Sequence, residues 1–209
     1  MELIPRPYGH PDVVALTNEV QAHYRNLYGG PGDESTVEVA DFEAPTGHFV
    51  VGYVEGVPVA MGGWRRLGER PGLPSPNAAE IKRMYVAPST RGRGLSRIVL
   101  AELETSARAA GVDWLVLETG RPQRSAIGLY RSSGYSAVDG TPYGHYLAQP
   151  APPHHPSSLV CAVLRTASRP ALATTAPRPP RPPQRLCRRT LTRFGKDANA
   201  RGAAVARVR

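Results

Sequence analysis

The sequence predicts an α/β (α+β) domain built on a mixed β-sheet, and three stretches carry that expectation. Residues 80–134 read strand, helix, strand, helix, and a crossover of that length makes the two strands parallel neighbours with a right-handed connection. Ahead of them, HFVVGYV (48–54) and VPVAMGGWRR (57–66) flank the turn Glu55-Gly56 as a β-hairpin. WLVLET (114–119) is almost wholly apolar, as a strand covered on both faces must be.

The elements follow in order. ELIP (2–5) is a short strand. From Pro11 to Tyr28, Val13, Leu16, Val20, Tyr24 and Leu27 recur at three- and four-residue spacing and share one face of a helix. Residues 29–47, rich in Gly, Pro and acids, read as a loop or a frayed second helix. After the hairpin, GERPGLPSPN (68–77) is a loop, EIKRMYV (80–86) is a strand by its β-branched and aromatic residues, and APSTRGRG (87–94) is a turn. Leu95, Val99, Leu103 and Ala107 lie four apart on a helix over 95–110 that Gly111 can end. RPQ (121–123) breaks the next strand, and SAIGLYRSSG (125–134) is a short helix stopped by Gly134. Tyr135 fits a core aromatic at the start of another strand. APPHHP (151–156) is a linker or loop, and SLVCAVL (158–164) is a candidate last strand.

Length and charge bound the rest. The chain has 209 residues, 41% of them hydrophobic, which is enough for one domain with a sizeable core. No run reaches the roughly 18 apolar residues of a membrane span, and MELIPRPYGH has neither the basic nor the apolar region of a secretory leader. Cys161 and Cys187 make no disulfide framework, so a cytoplasmic protein is expected. The net charge of +9 is confined to one end. Residues 1–165 carry 15 Lys and Arg against 16 Asp and Glu, net −1, whereas residues 166–209 carry 11 against one, net +10. The expectation is a folded domain over 1–165 and a basic, Pro/Arg/Ala-rich disordered tail over 166–209, too poor in large apolar residues to fold. Such a tail could release counterions from nucleic acid, but it lacks interleaved aromatics, so a solvated tail is expected and nucleic acid is not a predicted partner. No membrane partner is expected, and monomer and homodimer are both compatible with the pattern. The excess of Ala, Pro and Arg from residue 147 onward also fits a shifted reading frame of a GC-rich gene. Strand pairing of 158–164 with 134–138, with burial of its apolar side chains, would argue against that.

The chemistry concentrates at Arg91-Gly92-Arg93-Gly94-Leu95-Ser96, which joins a strand to a helix N-terminus. A pyrophosphate needs several backbone N–H donors converging on one place, and a helix N-terminus offers them with a favourable dipole. Glycines let the backbone approach and adopt positive φ, and the arginines add positive charge. Spacing alone also fits a Gly-rich turn with two solvated arginines. A fragment of an RNA-binding tract is a poorer fit, because the string sits between a strand and a good helix.

VAPSTRGRGLSRIVL (86–100) resembles motif A of the GCN5-related N-acetyltransferases, the GNAT family: Arg/Gln-x-x-Gly-x-Gly/Ala after a Val-x-Pro strand end. EIKRMYV before it, and LETG and AIGLYRSSGY after it, match the flanking segments in order and spacing, and the likeness covers about residues 1–146. Ser96 stands where Gly or Ala is usual, and is itself small and suited to a helix start. The resemblance implies the GNAT fold, a mixed twisted sheet with a splayed parallel strand pair and helices on both faces. It implies acetyl-CoA as co-substrate and no metal. The pantetheine arm would lie in the splay and pair with main-chain groups of Met84 and Val86, as an added strand does. Arg91, Gly92, Arg93, Gly94, Leu95 and Ser96 would hold the pyrophosphate, and the acyl carbonyl would lie near Tyr85 and Val86.

It also implies direct attack of a primary amine, from a small molecule or a peptide, on the thioester. The amine must be neutral, and lysine-type amines ionise near 10.4 and α-amines near 8, so a base helps. Glu80, opening its strand, matches the position of a carboxylate base; its plain alternative is a strand-edge Glu paired with Arg83 or Lys82. Tyr130, in LYRSSGY, matches the tyrosine that protonates the departing sulfur; its plain alternative is a core tyrosine that only orients the thioester. Family members commonly place an Asn at the head of the last helix, where Gln123 or Ser125 would substitute. Trp64-Arg65-Arg66 reads as a buried Trp with two exposed arginines, or as lining of the acceptor side. Tyr143 and His145, in TPYGHY, resemble a segment that closes the acceptor pocket in some members. His154-His155 lacks carboxylate or Cys partners and reads as a solvated pair. The alternative to an enzyme is a non-catalytic acyl-CoA-binding sensor or interaction module of the same fold; Glu80 and Tyr130 favour the enzyme.

Overall fold

The structure is a computed structural model describing residues 1–28, 36–70, 72–138 and 159–166. Tyr143, His145, His154, His155 and the basic tail lie outside the described residues. The chain divides into units Met1–Leu172 and Ala173–Arg209, and every described residue belongs to the first. It runs β1 (Glu2–Pro5), α1 (Pro11–Tyr28), β2 (Gly47–Val54), β3 (Val57–Arg66), β4 (Ala78–Val86), α2 (Leu95–Ala109), β5 (Trp114–Gly120), α3 (Arg124–Ser132), β6 (Ser136–Val138) and β7 (Leu159–Arg165). Short 3-10 turns occupy Val39–Phe42 and Pro88–Thr90. The first lies within the stretch 29–47 that the sequence reads as loop or frayed helix. Among the described residues no helix is long and apolar enough to cross a membrane.

One seven-stranded sheet takes the order β1-β2-β3-β4-β5-β7-β6. Every neighbouring pair is antiparallel except β4 and β5, which are parallel as the crossover length requires. Strand alternation sends side chains to two cores. Val13, Leu16 and Val20 of α1 pack with Phe42, Phe49, Val51, Tyr53, Met61 and Tyr85. On the other face, Leu95, Val99, Leu100, Leu103 and Ala107 of α2 pack with Val50, Ile81, Leu115, Leu117, Tyr130 and Tyr135. Each large apolar side chain buried this way contributes roughly 1.5–3 kcal/mol over leaving it in water.

Two irregularities shape the site. First, Met61 pairs with Tyr85 but Gly63 pairs with Lys82, so β4 carries one extra residue opposite Gly62. Arg83 sits in this bulge at φ 58° and its Nε donates to Tyr8 Oη at 3.1 Å. The bulge changes the phase of β4: Ala79 and Ile81 face the α2 core before it, and Met84 and Val86 after it. Gly62 has room for no side chain, since a Cβ there would lie 2.7 Å from Met84 Sδ and 3.1 Å from Val99 Cγ1. Second, β4 and β5 pair only at Ala78–Trp114, Ala79–Leu115 and Glu80–Val116. Beyond Glu80 the two strands part. β5 instead pairs along its other edge with β7, from Trp114–Arg165 to Gly120–Leu159. β7 also pairs with β6 at Ser136–Val163, Ala137–Ala162 and Val138–Cys161. The candidate last strand is therefore a strand, inserted between β5 and β6.

Candidate active site

The chain leaves β4 at Val86 and turns sharply. Thr90 closes the turn, donating its N–H and its hydroxyl to the Ala87 carbonyl at 3.0 and 3.1 Å. Gly92 and Gly94 follow at φ 79° and 76°, a region that costs an ordinary L-residue roughly 1–2 kcal/mol. Gly94 is the N-cap of α2, and its carbonyl accepts from Arg97 N–H at 3.0 Å. The N–H groups of Gly92, Arg93, Gly94, Leu95 and Ser96 find no acceptor among the described residues. Nothing lies within 4 Å of where a Cβ would stand at Gly92 or Gly94. The result is a run of donors at the positive end of a helix, suited to an anion. Arg93 is exposed beside it. Arg97 reaches Ser132 Oγ at 2.7 Å, tying α2 to α3.

On the α1 face, Glu80 stands at the last paired position of the splay and is 1% exposed. Both its oxygens are taken: Oε1 lies 2.9 Å from Lys82 Nζ, and Oε2 accepts from Arg65 Nε at 3.1 Å. Arg65 also donates to Asp41 Oδ2 at 2.6 Å and to the Thr36 carbonyl at 3.1 Å. Burial pushes the Asp41 carboxyl up, but the Glu38 N–H and the Arg65 guanidinium outweigh it and leave the group below its usual value of 3.8. Glu80 is thus neither at a strand edge nor bound to Arg83, which turns to Tyr8 instead. Its partners are Lys82 and Arg65. Arg65 is correspondingly not the exposed arginine that the sequence suggests, because residue 65 sits directly opposite residue 80 in the β3–β4 register. Trp64 is buried as expected and donates Nε1–H to Ser106 Oγ at 2.9 Å.

Tyr130 of α3 is 7% exposed and joins the same cluster as Ile81, Leu95, Met84 and Val86. Burial, then the neighbouring Tyr24, pushes its phenol well above the usual value of 10, so it stays protonated. Its ring meets Tyr135 edge-on at 5.5 Å, and Tyr135 is a core residue as expected. Gln123, the N-cap of α3, donates Nε2–H to Tyr28 Oη at 2.6 Å. That hydroxyl lies over Gly120, where a Cβ would collide with it. Alternation along β5 puts Glu118 on the same face as Gly120, and the Glu80–Val116 register puts Glu80 there too. The phosphate-suited turn thus belongs to the α2 face of the splay, and the carboxylates and Tyr28 to the α1 face.

The fold gathers Glu80, Met84, Tyr85, Val86 and Arg91–Ser96 along one strand and its turn, and Tyr130 shares an apolar cluster with Met84 and Val86. Three features escaped the sequence reading. The link of Glu80 through Arg65 to Asp41 needed the β3–β4 register, which the long connection between those strands does not reveal. Tyr28 with Gln123 spans 95 residues and leaves no local signal. Glu118 could have been found, because alternation in LVLETG sets it opposite in face to Leu117. No group of three or more His, Cys, Asp or Glu among the described residues could hold a metal ion.

The model of the acetyltransferase (GNAT) family matches residues 15–135. The chain is 33% identical over 138 residues to an IAA acetyltransferase of Azospirillum brasilense, a match covering 66% of this chain and 84% of the relative. It is 35% identical over 98 residues to the N-alpha-acetyltransferase RimI of Mycobacterium tuberculosis, covering 47% of this chain and 58% of that protein. Among solved structures, the PaiA N-acetyltransferase of Thermoplasma acidophilum, in complex with coenzyme A, superposes with a TM-score of 0.55 at 14% identity. That match covers 79% of this chain and 99% of the other.

Proposed function

This chain belongs to the GNAT acetyltransferase family and is an acyl-CoA-dependent N-acyltransferase, and from that premise we propose that it moves an acetyl group from acetyl-CoA to the primary amine of a small molecule or peptide. The observation that carries the proposal is the parting of β4 from β5 after Glu80, next to the run of free N–H groups at Gly92–Ser96. A strand edge that has lost its neighbour suits a ligand with peptide-like amides, and free N–H groups at a helix start suit its diphosphate.

The residues then divide the work. Main-chain groups of Met84 and the N–H of Val86 pair with the pantetheine arm, the Val86 carbonyl being taken by Arg91 Nε. The N–H groups of Gly92–Ser96, with Arg93, hold the diphosphate. The acetyl carbonyl lies against Tyr85 and Val86. Acetyl-CoA supplies an activated thioester, whose C–S bond breaks as the C–N bond forms. Tyr130, kept protonated by burial, gives its proton to the departing sulfur and regains one from the amine side. The amine approaches on the α1 face, past Tyr24 and Tyr28, and loses its proton to a carboxylate there. Glu80 is the assigned acceptor of that proton, through water, because its own oxygens are held by Arg65 and Lys82. A second reading gives the proton to Glu118 instead, which lies on the same face just beyond the last paired position. Substituting each by Gln and following kcat against pH separates them, since only loss of the true base removes the acid-side limb.

The test of the whole proposal is incubation with acetyl-CoA and a panel of small amines and N-terminal peptides, with free thiol as the readout. Amine-dependent thiol release is expected. Thermal stabilisation by acetyl-CoA without thiol release for any amine would shift the reading to a non-catalytic acyl-CoA-binding module.

A further inference from the structure

Arg91 stands at the head of the turn, yet its side chain is folded back onto the strand it follows. Its Nε donates to the Val86 carbonyl at 3.0 Å, and its guanidinium covers the Tyr85 ring at 5.9 Å from the centroid. The Val86–Ala87 peptide is held from its other side as well, because Ala87 N–H donates to the Val59 carbonyl at 2.8 Å. Tyr85 is tied in turn to α1, its hydroxyl donating to Glu19 Oε2 at 3.2 Å. The last two residues of β4 are therefore gripped by β3, by α1 and by the turn. They lie in the stretch where β5 no longer pairs with β4. A strand with one free edge, and with a bulge at Arg83 just upstream, has few other bonds to fix its peptide planes.

We propose that Arg91 is a positioning residue for the acyl site: it fixes the free end of β4, and with it the main chain of Tyr85 and Val86, and is not a ligand of the coenzyme's phosphates. The proposal rests on the reading that the splay takes acetyl-CoA. It assigns the anion to the backbone N–H groups and Arg93, and it makes the Arg91–Tyr85–Glu19 contacts a mechanical link between the turn and α1.

The experiment uses two acetyl donors that differ only beyond the pantetheine. S-acetylpantetheine carries the thioester and both amides but no phosphate. Values of kcat/KM are measured for the wild type, Arg91→Met and Arg91→Lys with acetyl-CoA and with S-acetylpantetheine, using an amine found in the panel. Affinity for adenosine 3′,5′-bisphosphate is measured in parallel. A positioning residue predicts that Arg91→Met lowers kcat/KM about tenfold with both donors, the worth of one charge-assisted hydrogen bond. It also predicts that Arg91→Lys restores little, since an ammonium lacks the planar fork, and that bisphosphate affinity stays at the wild-type value. A loss confined to acetyl-CoA, with S-acetylpantetheine turned over as by the wild type and with Lys restoring binding, would overturn the proposal. If Arg91→Met melts early, the Arg91→Lys variant decides by the same two-donor comparison. Should the wild type turn over neither donor and bind no coenzyme A, the acetyl-CoA reading fails first and this proposal with it.

Discussion

At the scale of single residues, two side chains carry sharp expectations. Burial holds the Tyr130 phenol above its ordinary range. A raised value means the proton is kept as pH rises, so the loss of kcat from titrating this acid should appear only above about pH 10. Tyr130→Phe should lower kcat about a hundredfold while calorimetry finds acetyl-CoA affinity unchanged. Unchanged turnover would remove the acid role. Glu80 anchors a buried charge cluster, so Glu80→Gln leaves Arg65 and Lys82 without their carboxylate. Urea unfolding should register a loss of roughly 3–5 kcal/mol, and a loss within error would mean that the cluster relaxes around the amide. Both residues were legible from the sequence because their neighbours, EIKRMYV and LYRSSGY, carry recognisable patterns. The tie of Glu80 to Arg65 and Asp41 was not, because it depends on which residue of β3 faces Glu80, and the long connection over residues 67–77 does not set that register.

At the scale of elements, the turn and the glycines near it separate folding from binding. Gly94 faces open space, so Gly94→Glu meets no steric obstacle within the fold and costs only about 1–2 kcal/mol of positive-φ strain. Its carboxylate would nevertheless stand beside the free N–H groups, so coenzyme A binding should vanish while circular dichroism finds a folded domain. Gly63 behaves oppositely. A Cβ there would lie 2.8 Å from the His48 carbonyl and 2.9 Å from Phe42, so Gly63→Ala should destabilise by about 1–3 kcal/mol, read as a lower melting temperature. The helices and strands themselves were legible because 3.6-residue and two-residue periods are strong in α1, α2 and β5. The splay was not readable from periodicity, since nothing in the hydropathy of 80–86 says where pairing stops. It was expected only through the resemblance of the turn. The structure locates it after Glu80.

At the scale of the whole molecule, pH and chain length test the architecture. Burial pushes His48 below its usual 6.5 despite the pull of Glu102 3.7 Å away. The unfolded chain therefore takes up a proton that the folded one refuses, and stability present above about pH 6.5 should fall as pH drops below it. A scan of melting temperature against pH should slope less in His48→Gln; an unchanged slope would place the titration elsewhere. A chain ending at residue 172, the limit of the first unit, should melt and turn over as the full chain does, whereas one ending at 150 loses β7 and should not fold. The sequence placed that last strand correctly but could not say which strands it joins. Its seat between β5 and β6 bears on synthesis. All the residues assigned to the coenzyme leave the ribosome well before Leu159. Until β7 follows, β5 and β6 both offer bare edges and the sheet has a slot beside its last strand. A nascent chain paused in that interval presents the edges that invite pairing with another chain, so translation speed past residue 120 should set how much of this protein emerges soluble.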